Sequence, residues 1–369
     1  MRTHSEALTN VLQGSFSRRL IADVFHGSER VKQNLDMLSW SLDGDLGAAV
    51  KHGGSGTIVY QSESGESLVP EGTEGVLSPF RAKLLLLMEI TAGDFSETVT
   101  LGWFKVTGVP YAQDHTALVN GAERVVASVV EIEFESLDVE LKRRGFRSEE
   151  QPPSLVSCWE EIRRITNMPV VESVADKPIP TAVVYEAVQG GRLKAVQSLA
   201  GVLGGRAVVD PAGAVTVVPD GAGTVVGSLL VGENGTVIDV PYSVETENVY
   251  NCVVGNFETE DRKPLYSVAA VLEGPLATTG NYGEYTRYFA SEFVKTQQQA
   301  DSAVQAVLEQ VTGSQQFDVP IQCVLNPLFE LGDPVEVQGH TRPISGRLVK
   351  FAYSDSELMT VTLRAERSL

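Results

Sequence analysis

Basic residues are in short supply. Lys and Arg together number 29 against 48 Asp and Glu, so the formal charge is −19. A surface built to neutralise phosphates draws its affinity from clustered cations, so specific nucleic-acid binding is excluded as the main business of this chain. Cysteine is equally sparse. Cys158, Cys252 and Cys323 lie far apart with no CxxC or Cys/His spacing, which supports neither a disulfide framework nor a zinc site and leaves buried free thiols. Long apolar runs are missing too: the longest, Leu84 to Met88, is far short of a membrane span. The first residues, Met1-Arg2-Thr3-His4-Ser5-Glu6, have no apolar core of the signal-peptide kind, so the chain is expected to begin its life in a cytoplasm.

What is present is a foldable chain of 369 residues, 43% hydrophobic and 21% charged, with 34 glycines to punctuate turns. Its length favours two or three domains of about 100–150 residues each. Residues 1–15 read as an N-terminal arm or short helix that stops at Gly14, shows Leu8, Val11 and Leu12 on one face, and is free to dock on a neighbour. Residues 16–147 are strand-like: Arg19–Phe25, Thr57–Tyr60, Ala82–Ile90, Thr98–Gly108 and Arg124–Glu135 alternate or are β-branched. Gly27, Gly44, Gly53-Gly54, Gly65, Gly93 and Asn120-Gly121 fall between them as turns, a sandwich or barrel signature. Ser62 to Ser78 has few core-type residues and reads as an exposed loop.

Gln151-Pro152-Pro153-Ser154 breaks the pattern, and 150–240 reads as an α/β region. Ser154 or Ser157 caps a helix carrying Trp159, Ile162 and Ile165 and ending near Asn167. A second helix through Leu193, Val196, Leu199 and Leu203 stops at Gly204-Gly205, and a hairpin turns at Asp210–Gly213. A Gly-rich connection from Asp220 to Gly235 leads to a second β domain, 245–369, with one helix capped by Thr296, striped by Ala300, Ala303, Val304, Val307, Leu308 and Val311, and closed at Gly313. The fold class expected is mainly β with an α/β insert. No internal repeat is visible between 16–147 and 245–369.

Residues that could carry chemistry each meet a plainer reading. The histidines at 4, 26, 52, 115 and 340 show no HxxxH or HxH spacing, and no serine sits in GxSxG. Ser64-Gly65-Glu66 is a loop fragment. Glu131, Glu133 and Glu135 alternate with Ile132 and Phe134, as the solvent face of a strand does, and not as a cleft pair of general acid and base. Gly53-Gly54-Ser55-Gly56 and Gly221 to Gly227 lack the phosphate-loop pattern and read as turns and linkers. Arg143-Arg144 and Arg163-Arg164 read as basic pairs answering acids across a subunit contact, and Trp159 as core. No catalytic, cofactor-binding or metal-binding residue is expected, no cofactor, and no enzyme.

Several phrases resemble one family. Asn248-Val249-Tyr250-Asn251-Cys252-Val253-Val254-Gly255, Pro275-Leu276 with Gly280-Asn281-Tyr282-Gly283, the Gln- and Ala-rich helix from Thr296, and Leu325-Asn326-Pro327-Leu328-Phe329-Glu330-Leu331-Gly332-Asp333-Pro334-Val335 resemble the hub proteins of tailed-phage tail tips. In the last phrase, Asn-Pro-Leu reads as a tight bend and Leu-Gly-Asp as a turn feeding a strand, together locking a corner. Leu77-Ser78-Pro79-Phe80, Leu101-Gly102-Trp103-Phe104-Lys105-Val106 and Glu133 to Arg147 with Asp138 look like the minor tail proteins of phages of actinobacteria.

The resemblance covers most of the chain. It implies two tail-tube-like β domains per subunit and a homotrimer whose six similar units match a sixfold tube to a threefold tip. It also implies a place in the virion tail tip, after assembly in the host cytoplasm, with a distal tail protein and tip or fibre proteins as partners and a tape measure protein as a further one. Leu325 to Val335 and the helix Thr296 to Thr312 are expected to serve the ring, whose acidic lumen passes DNA. The competing expectation is a tail-tip protein that binds or hydrolyses cell wall through the loop at 62–78 or the 150–240 region.

Overall fold

A computed structural model of the chain describes all residues except 182, 222, 234, 242–248, 260–262, 292–293, 313, 340–343 and 369. Asn248, Gly313 and His340, singled out in the sequence, lie outside the described residues. The fold is mainly β. The chain divides into two compact units, Met1–Val240 with Pro320–Leu363, and Pro241–Val319 with Arg364–Leu369.

A short helix, α1 (Glu6–Val11), opens the first unit. Ser5 caps it, its Oγ accepting from the Leu8 amide at 3.2 Å. Leu8 is fully buried and Leu12 nearly so, and the Arg2 amide donates to the Leu328 carbonyl at 2.9 Å. The arm therefore docks on its own chain, because its apolar face finds a core there.

Six strands follow: β1 (Ser17–His26), β2 (Glu29–Asp45), β3 (His52–Gln61), β4 (Ala82–Ala92), β5 (Phe95–Val119) and β6 (Ala122–Ser136). They lie in the order β1-β4-β5-β6-β3-β2, every pairing antiparallel, and β1 also pairs β2, so this array closes on itself as a barrel. Ala82, Leu84, Leu86, Met88 and Ile90 alternate inward with no exposed surface. Filled alternate positions of this kind pack a small barrel from inside.

Sequence periodicity does not reveal β2, for a reason visible in its backbone. Leu35 and Met37 point inward at odd positions, Trp40 and Leu42 at even ones. The phase flips across a register shift between Leu38 and Ser41, where Ser39 takes φ 46°. A one-residue slip sends every later side chain to the other face.

The α/β part of this unit holds α2 (Asp138–Arg143), α3 (Cys158–Thr166), α4 (Gly191–Leu203), β7 (Gly205–Val209) and β8 (Val215–Pro219). Ser157, not Ser154, caps α3, its Oγ accepting from the Glu160 amide at 3.0 Å, and Asn167 closes it at φ 52°. Gly204 ends α4 at φ 94°. The β7–β8 hairpin turns through Asp210–Gly213, with the Gly213 amide donating to the Asp210 carbonyl at 2.9 Å. Trp159 is fully buried at the centre of this core, as expected, and its Nε1 donates to the Val174 carbonyl at 3.0 Å.

The Gly-rich connection is not structureless: it contains β9 (Gly227–Leu230), and β10 (Val237–Asp239) follows. The second unit comes next in sequence, with β11 (Cys252–Glu258), β12 (Pro264–Ala270) and β13 (Thr286–Ala290) in the order β12-β11-β13 and helix α5 (Gln297–Thr312). Thr296 caps α5, its Oγ1 accepting from Gln299, while Val253, Phe257, Ala300, Val304, Leu308 and Val311 share one core. The opposite sheet face leaves Tyr266, Val268 and Tyr288 more than 60% exposed.

The chain ends with β14 (Ser314–Val324), β15 (Pro334–Gln338), β16 (Ile344–Ser354) and β17 (Leu358–Ser368). With β9 and β10 they form a second array of order β9-β15-β16-β17-β14-β10. Numbered along the chain within each array, both read 1-4-5-6-3-2. The repeat absent from the sequence is thus present in the strand order. One strand differs in direction, since β9 runs parallel to β15 whereas β1 runs antiparallel to β4.

Candidate functional site

The two arrays meet as one continuous sheet. Beyond its register shift, β2 leaves β1 and pairs β16, from Ser41↔Ser354 to Asp45↔Lys350. An ion pair of 3.0 Å between Lys350 Nζ and Asp45 Oδ2 spans this joint. The crossing needs β2 to press against β3, and the glycines of β3 permit it. A Cβ on Gly54 would lie 2.2 Å from the Ser41 carbonyl oxygen and 2.8 Å from Phe134; one on Gly56 would lie 2.4 Å from Met37 Sδ. The Gly53–Gly56 run is therefore not a turn, as its composition suggested, but part of a strand interior where backbones approach closely. Gly44 makes the same allowance for Phe351, at 2.5 Å.

Across this sheet the outward positions are mostly small or acidic, with Leu38 opposite Thr57 and Lys350 opposite Asp45 as exceptions. Glu135 faces Gly53, which faces Asp43, which faces Ala352; Glu133 faces Ser55, which faces Ser41, which faces Ser354; Glu131 faces Thr57. Glu131 and Glu133 are exposed, and no ion pair is recorded for Glu131, Glu133 or Glu135 among the described residues. Alternate residues on a strand are about 6.8 Å apart, so these carboxylates form a repelling row open to water. Burial alone holds the Asp43 carboxyl above its ordinary range. The expected polar face of β6 is real, and it extends over three neighbouring strands that periodicity could not connect.

The corner 325–335 is built as its residues suggested. Asn326 Oδ1 accepts from the Leu328 amide at 3.0 Å, and Asp333 Oδ2 accepts from the Glu330 amide at 2.8 Å. Leu325, Leu328 and Phe329 are buried. Sequence reading missed the partner of this corner: Arg2 Nη1 donates to the Pro327 and Phe329 carbonyls, 2.6 Å each. Gly332 has φ 90°, and a Cβ there would stand 2.2 Å from Val218. Beside it lies a cavity of about 280 Å³ lined by Arg2, His52, Trp103, Glu330, Asp333 and Arg347 among others. Burial, with the cations of Arg2 and Lys51, pushes the His52 imidazole down to about 3; burial pushes the Glu330 carboxyl up.

The remaining sequence candidates are scattered. His4 Nδ1 meets the Arg2 carbonyl, His26 Nε2 meets the Val76 carbonyl and His115 is exposed. Among the described residues no three His, Cys, Asp or Glu side chains are grouped to hold a metal. Glu66 of the Ser64–Glu66 fragment pairs Lys32 at 2.6 Å. The loop around it is not simply exposed, since Leu68 and Leu77 are fully buried and the Leu68 amide donates to Ser128 Oγ. Three arginines of the basic pairs are answered within the chain: Arg144 by Glu140 at 2.9 Å, Arg163 by Glu172, and Arg164 by Glu150 and Glu161. All three cysteines are free and buried, and burial pushes the Cys323 thiol up to about 12. Among the described residues no helix is long and apolar enough to cross a membrane.

No family model matches the sequence, and no curated protein matches it. Solved structures do. A tail protein from Neisseria meningitidis MC58 is similar at 11% identity and TM-score 0.55, over 94% of this chain and 96% of that one. The 43 kDa tail protein of prophage MuSo2 from Shewanella oneidensis is similar at 10% identity and TM-score 0.56, over 94% and 97%. Near-complete coverage of both chains shows that this chain shares the fold of these two tail proteins.

Proposed function

We infer that the chain is a structural hub subunit of a phage tail tip or baseplate, similar to those of actinobacterial phages, and not an enzyme. Three copies form a pseudo-sixfold ring joining the sixfold tail tube and distal tail ring to a threefold tip or fibre. The observation that carries this reading is the repeated 1-4-5-6-3-2 strand order, which supplies two comparable ring units per chain already joined through β2 and β16. In this reading β1–β6 give one ring unit and β9, β10 and β14–β17 the other, and the α/β part from α2 to β8 lies outside or below the ring. The acidic sheet face lines the channel: its carboxylates and small side chains repel a passing polyanion, and the exposed Lys350 on it is paired with Asp45. The partners are a distal tail protein, tip or fibre proteins and a tape measure protein; the working location is the virion, after assembly in the host cytoplasm.

The mass of the purified protein, alone and mixed with the distal tail protein, followed by imaging of the particle, tests this. A trimer with sixfold-like symmetry in one layer is expected. A stable monomer that never joins the tail ring would overturn it. The second reading, cell-wall binding, is favoured by one observation, the exposed Tyr266 and Tyr288 on the open face of the β12-β11-β13 sheet. Retention on peptidoglycan that is lost in the double variant Tyr266→Ala/Tyr288→Ala would promote it.

A further inference from the structure

The joint inside the chain carries an instruction for the joint between chains. Within one chain, strand 2 of the first array, β2, adds to strand 5 of the second, β16. It does so at a particular place. Along β16 the first residues are occupied by β15, as far as Arg347, and β2 takes the same edge from Lys350 to Ser354.

Strand 5 of the first array has the same layout with the position empty. β4 occupies one edge of β5 as far as Lys105, and β6 runs along the other edge to Val119. Past Lys105 the β4-side edge has no strand partner among the described residues, and Tyr111 and Gln113 there are exposed. Pro110, which has no N–H to give, falls in the irregularity between Gly108 and Tyr111, leaving Tyr111–Gln113 as the usable stretch.

The complementary vacancy is strand 2 of the second array, β10. Among the described residues its partner strand is β14. In the first array the equivalent strands β1 and β2 pair and close the barrel; among the described residues β9 and β10 do not pair, and Ile238 is 58% exposed. Bare edges of this kind expose a row of unpaired amides and carbonyls that soluble proteins normally cover.

We propose that β10 of one copy adds to the Tyr111–Gln113 edge of β5 in a second copy of this chain, repeating between chains the β2–β16 joint found within it. The contact is head-to-tail, since the two surfaces differ, and such a contact builds a ring where its rotation closes and a filament where it does not. On the hub reading above, on which this rests, three copies close the ring with six arrays.

Full-length variants test the proposal. Neighbouring residues of a strand aim their amides at opposite edges, so of Ala112→Pro and Gln113→Pro one removes a donor toward β6 and the other a donor on the open edge. The open-edge variant is expected to weaken the trimer at least tenfold by native mass measurement, as is the open-edge member of the pair Val237→Pro and Ile238→Pro on β10. Mixing guards against mere misfolding. The β5-edge variant keeps a good β10, and the β10 variant keeps a good β5 edge, so the two together should form a heterodimer that neither forms alone and that cannot close. Hydrogen exchange at Tyr111–Gln113 should slow in the wild-type trimer. A wild-type trimer with fast exchange there, or variants that remain trimeric, overturns the joint and leaves the hub reading standing. A wild type that stays monomeric even with the distal tail protein overturns both.

Discussion

Replacing Gly54 by Ala tests whether the two arrays are held together by a backbone approach that only glycine allows. The added methyl would sit 2.2 Å from the Ser41 carbonyl oxygen and 2.8–2.9 Å from the Phe134 ring. Ordinary contacts begin near about 3.5 Å, so β2 or β3 must retreat by roughly 1 Å. Neither is free to move, because β2 is bonded to β16 on its other side and β3 to β6. Overpacking of this sort costs about 1–3 kcal/mol, offset in part by about 0.4–1 kcal/mol from the stiffer unfolded chain. The net loss should lower Tm by several degrees, at about 2–4 °C per kcal/mol for a unit of this size. Gly56→Ala is the comparison, since its closest neighbours, Met37 Sδ at 2.4 Å and Cγ at 2.5 Å, belong to a flexible side chain. Scanning calorimetry of both variants reads the difference. Gly54→Ala melting at or above the wild type, or Gly56→Ala melting lower than Gly54→Ala, would refute the reasoning.

Three further outcomes are expected. Leu8→Ala should cost about 2–4 kcal/mol in denaturant unfolding, because α1 is anchored in its own chain; a loss under about 0.5 kcal/mol would mean the arm is not held there. His52 is held neutral with a lowered value of about 3, so it contributes stability above its ordinary 6.5 that is lost as pH falls from there toward 3. The wild type should therefore weaken by up to about 1 kcal/mol per pH unit in that window, and His52→Gln should show a shallower slope; equal slopes would remove His52 from the explanation. The double change Glu131→Lys/Glu133→Lys should leave stability within about 0.5 kcal/mol, as exposed sites do, yet give salt-dependent retention of DNA by the assembled ring. No gain in retention would argue that this face does not line the channel.

The sequence alone determined the type of most elements. Alternation located β4 and β6 because their inward residues keep one phase from end to end, and local capping rules located α3, α4 and α5 because Ser157, Gly204 and Thr296 act on backbone within a turn of themselves. The corner at 325–335 was legible because Asn326 and Asp333 bond their own neighbours. Tertiary structure decided the rest. It hid β2 behind a register shift, put the Gly53–Gly56 run inside a strand, buried Leu68 and Leu77 of the loop, and gave Arg144, Arg163 and Arg164 acids of their own chain. It alone revealed that two arrays share one strand order and that β2 joins them. Strand order is set by pairings between residues hundreds of positions apart, such as Asp45 with Lys350, and such pairings use backbone groups that every residue carries. Side-chain patterns record which face of a strand is buried, but not which strand lies beside it.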